Sequence, residues 1–442
     1  MIVMKFGGTS VGNADRIRKT SEIIRSQLDK KPIVVVSAVT KVTDLLIKLA
    51  EEASKCAGDE TLDNIRNIHY KILHDLEIAT DLLDNDLNGL RELTNEAKAS
   101  AQLDAKILDK FKSFGERMSS KIVSAQLSNM GIKSKAIDSW DLGLLTNNDF
   151  GNAEPLEESY LTLKNNISKI KETIVTTGFI GKTIDSHITT LGRGGSDYSA
   201  AIIGMAIDAD EIQIWTDVNG IMTTDPKIVA DARPVRQVSF AEASELAYFG
   251  AKVLHPKTIL PAMRKNIPVR VLNSFNPSDE GTKIVSSSKK SEYTIKAIAC
   301  KNKTALIHID STRMLGAYGF LARLFYIFDK YKKSVDVIST SEVSVSLTID
   351  ENGSIDGMIS ELKEIGDVEI YRNKSIICIV GEGMKHTSGI AGRTFSALGR
   401  DNINIEMISQ GASKINITFI VDGKDTQKAV QILHEEYFGR FK

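Results

Sequence analysis

The chain opens with the stretch MIVMKFGGTS (residues 1–10), in which an apolar run leads through Lys5 to a pair of glycines. The run does not alternate, so it predicts a strand over 2–6 that is buried on both faces. Glycines let backbone N–H groups approach an anion, and a following helix adds its positive N-terminal end. A lysine directly before them can neutralise a phosphoryl oxygen. The alternative is a plain strand–turn–helix with Lys5 in water, and this stretch alone leaves both possibilities open.

Length, charge and cysteine content limit the classes of protein. The 442 residues carry 56 basic and 57 acidic side chains, so bulk charge does not predict a nucleic-acid or membrane partner. The three cysteines, Cys56, Cys300 and Cys378, are widely spaced, and no histidine pair has metal-ligand spacing. We therefore expect no protein-built metal site. No apolar run reaches membrane-spanning length and no signal peptide is apparent, so we expect a cytoplasmic protein.

The first 275 or so residues alternate strand-like and helical patterns, which predicts an α/β domain with a mainly parallel sheet. Apolar periodicity predicts helices over 13–30, through most of 43–130, and over 241–256. The predicted strands are IVMKF (2–6), PIVVVSA (32–38), IKSKAID (132–138), TIVTTGF (173–179), EIQIWTD (211–217) and PVRVLNS (268–274).

Two further loops follow predicted strands and carry polar groups. TLGRGGSDYSAA (190–201) sets Arg193 before two glycines, and Ser196 or Asp197 is expected to cap the next helix. IWTDVNGIMTTDPK (214–227) ends a strand at Thr216-Asp217, where ligands of α/β sheets usually lie. A plain helix cap and a surface loop remain the alternatives for these two stretches. Together with Lys5 they suggest a phosphoryl transferase.

An internal repeat occupies the C-terminal part of the chain, beyond the linker-like stretch SSSKKSEY (286–293). Residues 319–339 align with 389–409, and both copies read strand–helix–strand–strand–helix with a possible last strand. This order predicts two ferredoxin-like α+β modules. We expect domains at 1–285, 295–372 and 373–442, with a linker at 286–294.

Several motifs together resemble the aspartokinases, over nearly the whole chain. The N-terminal ones are KFGGTSVG, GFIG, LGRGGSDYSAA, WTDVNGIMTTDP and FGAKVLHP (249–256), and the two repeats resemble the paired ACT regulatory modules of that family. The resemblance implies an amino-acid-kinase fold, an αβα sandwich. It also implies transfer of a phosphoryl group from ATP with Mg²⁺ to the side chain of L-aspartate. A carboxylate is already ionised at neutral pH, so this acceptor needs no general base.

The resemblance also implies residue roles. Lys5 and Asp197 are implied as the catalytic pair. The implied nucleotide-binding residues are Lys5, Gly7, Gly8, Thr9, Ser10, Thr216, Asp217, Met222, Lys227, Lys252 and Val253. The implied aspartate-binding residues are Ser37, Thr43, Glu116, Phe179, Arg193, Gly194, Gly195 and Ser196. The family often has Tyr in place of Met222 and Arg in place of Lys227, so nucleotide contact at those two positions is less firmly implied.

The first repeat resembles that of the lysine-sensitive aspartokinases, whose effector lies between ACT modules of two subunits. This implies lysine as allosteric effector and a homodimer through the ACT modules, which could pair into a tetramer. The matched positions are Met314, Gly319, Phe320, Leu321, Ser334, Val335, Asp336 and Ser341. Threonine is the alternative effector, and the alternative for Asp336 is a solvated strand-edge residue. Other open alternatives are a same-fold kinase for glutamate, acetylglutamate or carbamate, and a catalytically silent amino-acid sensor.

Overall fold

The computed structural model describes residues 1–250, 256–287, 294–315 and 318–439. The chain divides into two compact units. The first comprises Met1–Ile221, Arg236–Phe240 and Val253–Ser287, and the second comprises Met222–Val235, Ala241–Lys252 and Ser288–Lys442. Within the described ranges, no helix is both long enough and apolar enough to cross a membrane.

The first unit is built on a mainly parallel sheet, as the sequence predicts. The strands up to residue 287 are β1 (Ile2–Phe6), β2 (Pro32–Val36), β3 (Ser134–Ile137), β4 (Thr173–Thr177), β5 (Ile180–Lys182), β6 (Ile188–Thr190), β7 (Glu211–Thr216), β8 (Gln237–Ser239), β9 (Val269–Asn273) and β10 (Thr282–Val285). The main sheet has the order β3-β4-β2-β1-β7-β9-β10-β8, and β5 pairs with β6 in a hairpin. Within the main sheet, β9 and β10 are antiparallel and the other pairs are parallel.

Helices cover this sheet, which explains why its central strands are apolar throughout. Every residue of β1 and β2 is buried. The helices up to residue 287 are α1 (Ala14–Arg25), α2 (Val42–Ala53), α3 (Asp59–Asp75), α4 (Asp84–Ser100), α5 (Ala105–Asn129), α6 (Glu157–Ile167), α7 (Gly195–Ala206), α8 (Phe240–Tyr248) and α9 (Leu260–Arg264). Side chains of α1 to α5 share one core with alternate residues of β1 and β2. The predicted helical region 43–130 is thereby confirmed.

The second unit contains the two repeats on one sheet. Its strands are β11 (Ala297–Asp310), β12 (Val335–Thr340), β13 (Ser344–Asp350), β14 (Asp367–Val380), β15 (Met407–Ser409) and β16 (Asn416–Asp422). Its C-terminal helices are α10 (Phe320–Lys330), α11 (Asp356–Lys363), α12 (Ile390–Arg400) and α13 (Thr426–Phe438). The strand order is β12-β13-β11-β14-β16-β15. Each repeat therefore has the predicted α+β order, and each contributes its own hydrophobic core.

The last strand of each repeat comes from an extension of a central strand. Residues 367–371 of β14 pair with 306–310 of β11 and complete the first repeat. Residues 297–301 of β11 pair with 376–380 of β14 and so provide the matching strand for the second repeat. The strand that completes the second repeat thus precedes the first repeat in the chain. The pairing that completes the second repeat joins segments that are distant in the chain, and it carries no local sequence signal.

Candidate active site

A cavity of about 420 Å³ lies at the carboxyl ends of the central strands of the first unit. Loops that follow β1, β2 and β4 meet there with the start of α7 and the middle of α5. This edge is where parallel α/β sheets usually bind ligands. Eleven of the sequence-predicted site residues line it: Lys5, Gly8, Ser37, Thr43, Glu116, Phe179, Arg193, Gly194, Gly195, Ser196 and Asp197.

Lys5 forms an ion pair with Asp197 at the floor of the cavity. Lys5 lies in β1 between its partners Val35 and Ile214, and its Nζ is 2.6 Å from Asp197 Oδ1. The side chains of Lys5 and Asp197 are only 11% and 14% exposed. The alternative of a lysine in bulk water is therefore wrong. A partly buried ammonium held by a carboxylate presents a fixed positive charge to an anion in the cavity.

Gly8 allows the loops after β1 and β2 to approach closely. A Cβ at Gly8 would lie 2.8 Å from the carbonyl oxygen of Ala38. Thr40 Oγ1 donates a hydrogen bond of 2.8 Å to the Gly8 carbonyl and links the same two loops. Residues Gly8–Val11 form a 3₁₀ helix, and α1 begins only at Ala14. The first N–H groups after the strand that carries Lys5 therefore belong to this tight turn rather than to a long helix.

Arg193 lies in the exposed loop that leads into α7. Glycines flank it, and Gly192 and Gly194 both adopt positive φ angles, 77° and 69°. Gly194 is the N-cap of α7, and no side-chain cap bond forms there. The expected cap by Ser196 or Asp197 is therefore wrong, because the Asp197 carboxylate pairs with Lys5 instead. The Arg193 side chain has no hydrogen bond or ion pair with the described residues, so its guanidinium is available to a ligand carboxylate.

Glu116 contributes a buried carboxyl group from α5. The residue is 3% exposed, and its Oε2 finds no hydrogen-bond partner in the described part of the chain. Burial raises the pKa of Glu116 to about 8, although hydrogen bonds from the Ala38 and Glu116 backbone and the nearby positive charge of Lys5 oppose that shift. A Cβ at Gly115 would lie 2.7 Å from Ala38 Cβ, so a glycine here lets α5 approach the loop after β2. A buried carboxyl group with one oxygen that has no hydrogen-bond partner among the described residues is suited to a cationic ligand group.

Comparisons with known proteins agree with this geometry. Residues 1–273 match the model of the amino acid kinase family, and residues 377–437 match an ACT domain model. Chloroplastic aspartokinase 3 of Arabidopsis thaliana is 41% identical over 99% of this chain and 81% of its own length. The lysine-sensitive aspartokinase 3 of Escherichia coli is 37% identical over 99% of both chains. This chain belongs to the aspartokinase family.

Solved aspartokinase structures share the fold. E. coli aspartokinase III in complex with aspartate and ADP, in its R-state, has a TM-score of 0.85 and 35% identity over 99% of this chain and all of its own. The same enzyme in complex with lysine and aspartate, in its T-state, has a TM-score of 0.83 and 36% identity over 99% of both chains. The predicted amino-acid-kinase fold with C-terminal ACT modules is confirmed.

The structure does not bring every predicted site residue of this aspartokinase to the cavity. Gly7, Thr9, Ser10, Thr216 and Asp217 do not line it, although they lie at the ends of β1 and β7. The Gly7 N–H donates to the Trp215 carbonyl, and Ser10 Oγ is 2.8 Å from Ser274 Oγ, so these contacts join the segment after β1 to β7 and to the end of β9. Met222 and Lys227 belong to the second unit. Lys252 and Val253 lie outside the described residues.

Sequence reasoning missed part of the cavity wall. The additional lining residues are Ala38, Val39, Thr40, Lys41, Asp44 and Gly192. All but Gly192 belong to the loop after β2 and the start of α2. The available signal was their position directly after a buried strand, where the chain must cross the carboxyl edge of the sheet.

The predicted regulatory residues lie in the first repeat of the second unit. Met314, Gly319, Phe320 and Leu321 occupy the loop before α10 and its first residues, whereas Ser334, Val335, Asp336 and Ser341 belong to β12 and its ends. The Asp336 side chain is only 4% exposed, which rules out the solvated strand-edge alternative.

Asp336 is engaged through one of its two carboxylate oxygens. Its Oδ1 pairs with Lys301 Nζ at 2.8 Å and accepts a hydrogen bond of 3.2 Å from the Tyr248 hydroxyl. Lys301 Nζ also pairs with Asp350 Oδ1 at 2.8 Å. Asp336 Oδ2 is buried and has no hydrogen-bond partner among the described residues. Burial raises the pKa of Asp336, and the Lys301 ammonium opposes that rise.

Proposed function

We propose that this chain transfers the terminal phosphoryl group of ATP to the side-chain carboxylate of L-aspartate, which yields ADP and 4-phospho-L-aspartate. The observation that carries the proposal is one cavity that combines the Lys5–Asp197 ion pair, the exposed Arg193 and the buried Glu116. The complex of E. coli aspartokinase III with aspartate and ADP supports it.

The charges in the cavity indicate which residue binds each charged group of aspartate. Arg193 offers a planar fork for the α-carboxylate of aspartate, and Glu116 offers an acceptor for its ammonium. Ser37, Thr43, Phe179, Gly194, Gly195 and Ser196 complete the proposed aspartate site. The side-chain carboxylate then extends toward Lys5. Because two anions must meet, the main requirement is fixed positive charge where negative charge develops, and Lys5 and the N–H groups after β1 supply it.

The nucleotide is proposed to extend from Gly7, Gly8, Thr9 and Ser10 toward Thr216 and Asp217. Met222, Lys227, Lys252 and Val253 remain candidates for further nucleotide contacts. Mg²⁺ is proposed to arrive with the phosphates of ATP, since kinase sites hold this ion through one or two carboxylates and the substrate phosphates. Asp197 is the carboxylate nearest to Lys5 and is suited to that role. The bound ion would offset the phosphate charge, while Asp197 keeps the Lys5 ammonium in place.

Release of ADP separates the proposed activity from the alternatives. The purified chain is incubated with ATP, Mg²⁺ and, in turn, aspartate, glutamate, acetylglutamate or carbamate, and ADP is measured. Release that requires aspartate supports the proposal. Release with another acceptor identifies a different kinase of this fold, and an absence of release with all four supports the silent sensor.

Lysine is the proposed allosteric effector. Its ammonium groups suit the buried, unpartnered Asp336 Oδ2, and the N–H groups at the start of α10 suit its carboxylate. The E. coli relative is named lysine-sensitive, and its T-state structure contains lysine. The proposed place of the reaction is the first step of the lysine, threonine and methionine pathway, in the cytoplasm.

A matched pair of variants tests the effector. Asp336→Asn should weaken inhibition by lysine at least tenfold. Glu406→Gln changes the aligned residue of the second repeat and should leave it within twofold. Inhibition of the wild type by threonine but not by lysine would favour the alternative effector. Lysine inhibition that is unchanged in Asp336→Asn would remove Asp336 from the effector site.

We also propose a homodimer through the ACT modules, with a tetramer as a further possibility. Helix α10 exposes Phe325 and Tyr326, which are 41% and 69% accessible, and Tyr318 before it is fully exposed. Apolar side chains grouped in this way mark an interaction surface more often than a solvated one. Light scattering of the purified chain measures the assembly. The proposed domain boundaries remain 1–285, 295–372 and 373–442, with the linker at 286–294.

A further inference from the structure

Asp109 is a buried carboxylate that sequence reasoning did not single out. It lies on α5, is 0% exposed, and accepts hydrogen bonds from a loop and from the end of strand β6. Its Oδ2 accepts from the backbone N–H groups of Gly151 and Thr190, both at 2.8 Å. Its Oδ1 accepts from Thr190 Oγ1 at 2.7 Å and lies 3.3 Å from Lys112 Nζ. A charged acceptor with this many donors binds strongly and with fixed geometry.

Thr190 is the residue through which Asp109 reaches the Arg193 loop. It is the last residue of β6, and Leu191, Gly192 and Arg193 follow it directly. The Thr190 carbonyl accepts from the Ala153 N–H at 2.9 Å, so the 151–153 loop is tied to the same point. Gly192 packs against this loop, because a Cβ there would lie 2.9 Å from Asn152 Oδ1. The start of the Arg193 loop is therefore fixed by contacts centred on Asp109.

The same helix carries Glu116. Asp109 and Glu116 are seven residues apart on α5, which is about two turns, so both project from the same face. Helix α5 thus carries Glu116, the proposed acceptor for the substrate ammonium. Two turns earlier it carries Asp109, which anchors the loop that contains Arg193. The distance between the charged groups of Arg193 and Glu116 therefore depends on α5 and on the contacts of Asp109.

We propose that Asp109 is a positioning residue for the amino-acid substrate: it fixes the Arg193 loop relative to Glu116 and so sets the spacing between the two charged groups that recognise aspartate. This inference rests on the proposed function. Asp109 itself does not line the cavity, so it acts through Thr190 and the loop rather than by contact with the substrate.

The first test separates positioning from general stability. Asp109→Asn keeps the shape of the side chain but replaces one carboxylate oxygen by an NH₂ group. That group cannot accept the hydrogen bonds that Gly151 and Thr190 donate. We expect KM for aspartate to rise at least tenfold and KM for ATP to stay within twofold. Lys112→Met removes the remaining partner of Asp109 without touching the loop, and should leave both constants within twofold. An equal rise in both constants, or a rise in neither, would overturn the inference.

A milder pair of variants covers the case in which Asp109→Asn does not fold. Thr190→Val removes only the hydroxyl bond and should raise KM for aspartate about threefold, whereas Thr190→Ser keeps that hydroxyl and should remain within twofold of the wild type. Equal KM values for the two variants would contradict the role of the Asp109 contact.

A double variant tests the route through Arg193. Because Asp109 acts on the Arg193 loop, adding Thr190→Val to Arg193→Ala should change kcat/KM for aspartate by less than 1.5-fold. A further threefold loss in the double variant would overturn the route. A wild type that releases no ADP with aspartate overturns the proposed function itself, whereas an active wild type with unaffected variants overturns only the positioning role.

Discussion

The raised pKa of Glu116 predicts that aspartate binding is coupled to proton release. With a pKa of about 8, the carboxyl group is roughly 90% protonated in the free enzyme at pH 7. Only the ionised form pairs with an ammonium group. Binding of aspartate at pH 7 should therefore release about 0.9 proton for each molecule bound.

The size of the pH effect follows from the same pKa. The ionised fraction of Glu116 rises from roughly 3% at pH 6.5 to roughly 76% at pH 8.5. Aspartate should therefore bind about 25-fold more tightly at the higher pH, and the gain should level off above the pKa. Loss of a hydrogen bond between charged groups costs about 1.5–3 kcal/mol, so Glu116→Gln should raise Kd for aspartate roughly 10- to 150-fold at pH 8.5.

Isothermal titration calorimetry measures both quantities. Aspartate is titrated into the enzyme from pH 6.5 to 8.5, in pairs of buffers with different ionisation enthalpies, so that the number of protons released is obtained directly. Glu116→Gln should show a nearly flat pH profile and release no proton. Glu51→Gln removes an exposed carboxylate from α2 and should keep the wild-type profile.

Two results would refute this reasoning. A wild type whose aspartate affinity does not change between pH 6.5 and 8.5 would show that Glu116 is already ionised or does not contact the ammonium. A Glu116→Gln variant that keeps the wild-type proton release would assign the titrating group elsewhere.

Four further outcomes can be measured with simple variants. Lys5→Ala should lower kcat about 10²- to 10³-fold at saturating ATP and Mg²⁺, with a smaller change in aspartate binding, because a charge that stabilises the transition state is lost; near-normal turnover would remove Lys5 from the phosphoryl site. Arg193→Lys keeps the charge but not the planar fork, so steady-state kinetics should show a larger rise in KM for aspartate than for ATP; the reverse would assign Arg193 to the phosphates. Gly8→Ala should lower the free energy of unfolding in urea by about 1–3 kcal/mol, since its Cβ would lie 2.8 Å from the Ala38 carbonyl oxygen; an unchanged urea midpoint would contradict that contact. Between pH 5 and 8 the folded state keeps a proton on Glu116 that the unfolded state, with the ordinary pKa of 4.5, has released. The free energy of unfolding of the wild type should therefore fall, relative to that of Glu116→Gln, by at most about 1.4 kcal/mol per pH unit. Parallel pH profiles of the two proteins would count against the raised pKa.

Short-range patterns in the sequence were sufficient for the elements of the fold. The apolar runs at 2–6, broken only by Lys5, and at 32–36 indicated strands covered on both faces, and both strands are fully buried. Strand–helix alternation predicted the parallel sheet, and the repeat predicted the two α+β modules. These features depend on the spacing of apolar residues along the chain, and that spacing can be read from a single sequence.

Motif order and family resemblance also indicated which loops would form the site. The sequence indicates the strand end that carries Lys5, the loop that carries Arg193 and the helix that carries Glu116, but not how they are arranged in space. The sequence does not show whether each charged side chain is solvated, paired or protonated. A lysine at a strand end can be solvated or paired, and only the fold places Asp197 2.6 Å from Lys5.

The sequence by itself thus determined the α/β class, the two repeats and the segments that carry the chemistry, because these follow from local composition and spacing. Tertiary structure alone decided the raised pKa of Glu116, the N-cap of α7 at Gly194, the anchor at Asp109, and the completion of the second repeat by a strand that precedes the first. Each of these depends on groups that are distant in the chain and close in space. Burial, ion pairing and strand partnership arise only when folding brings such groups together.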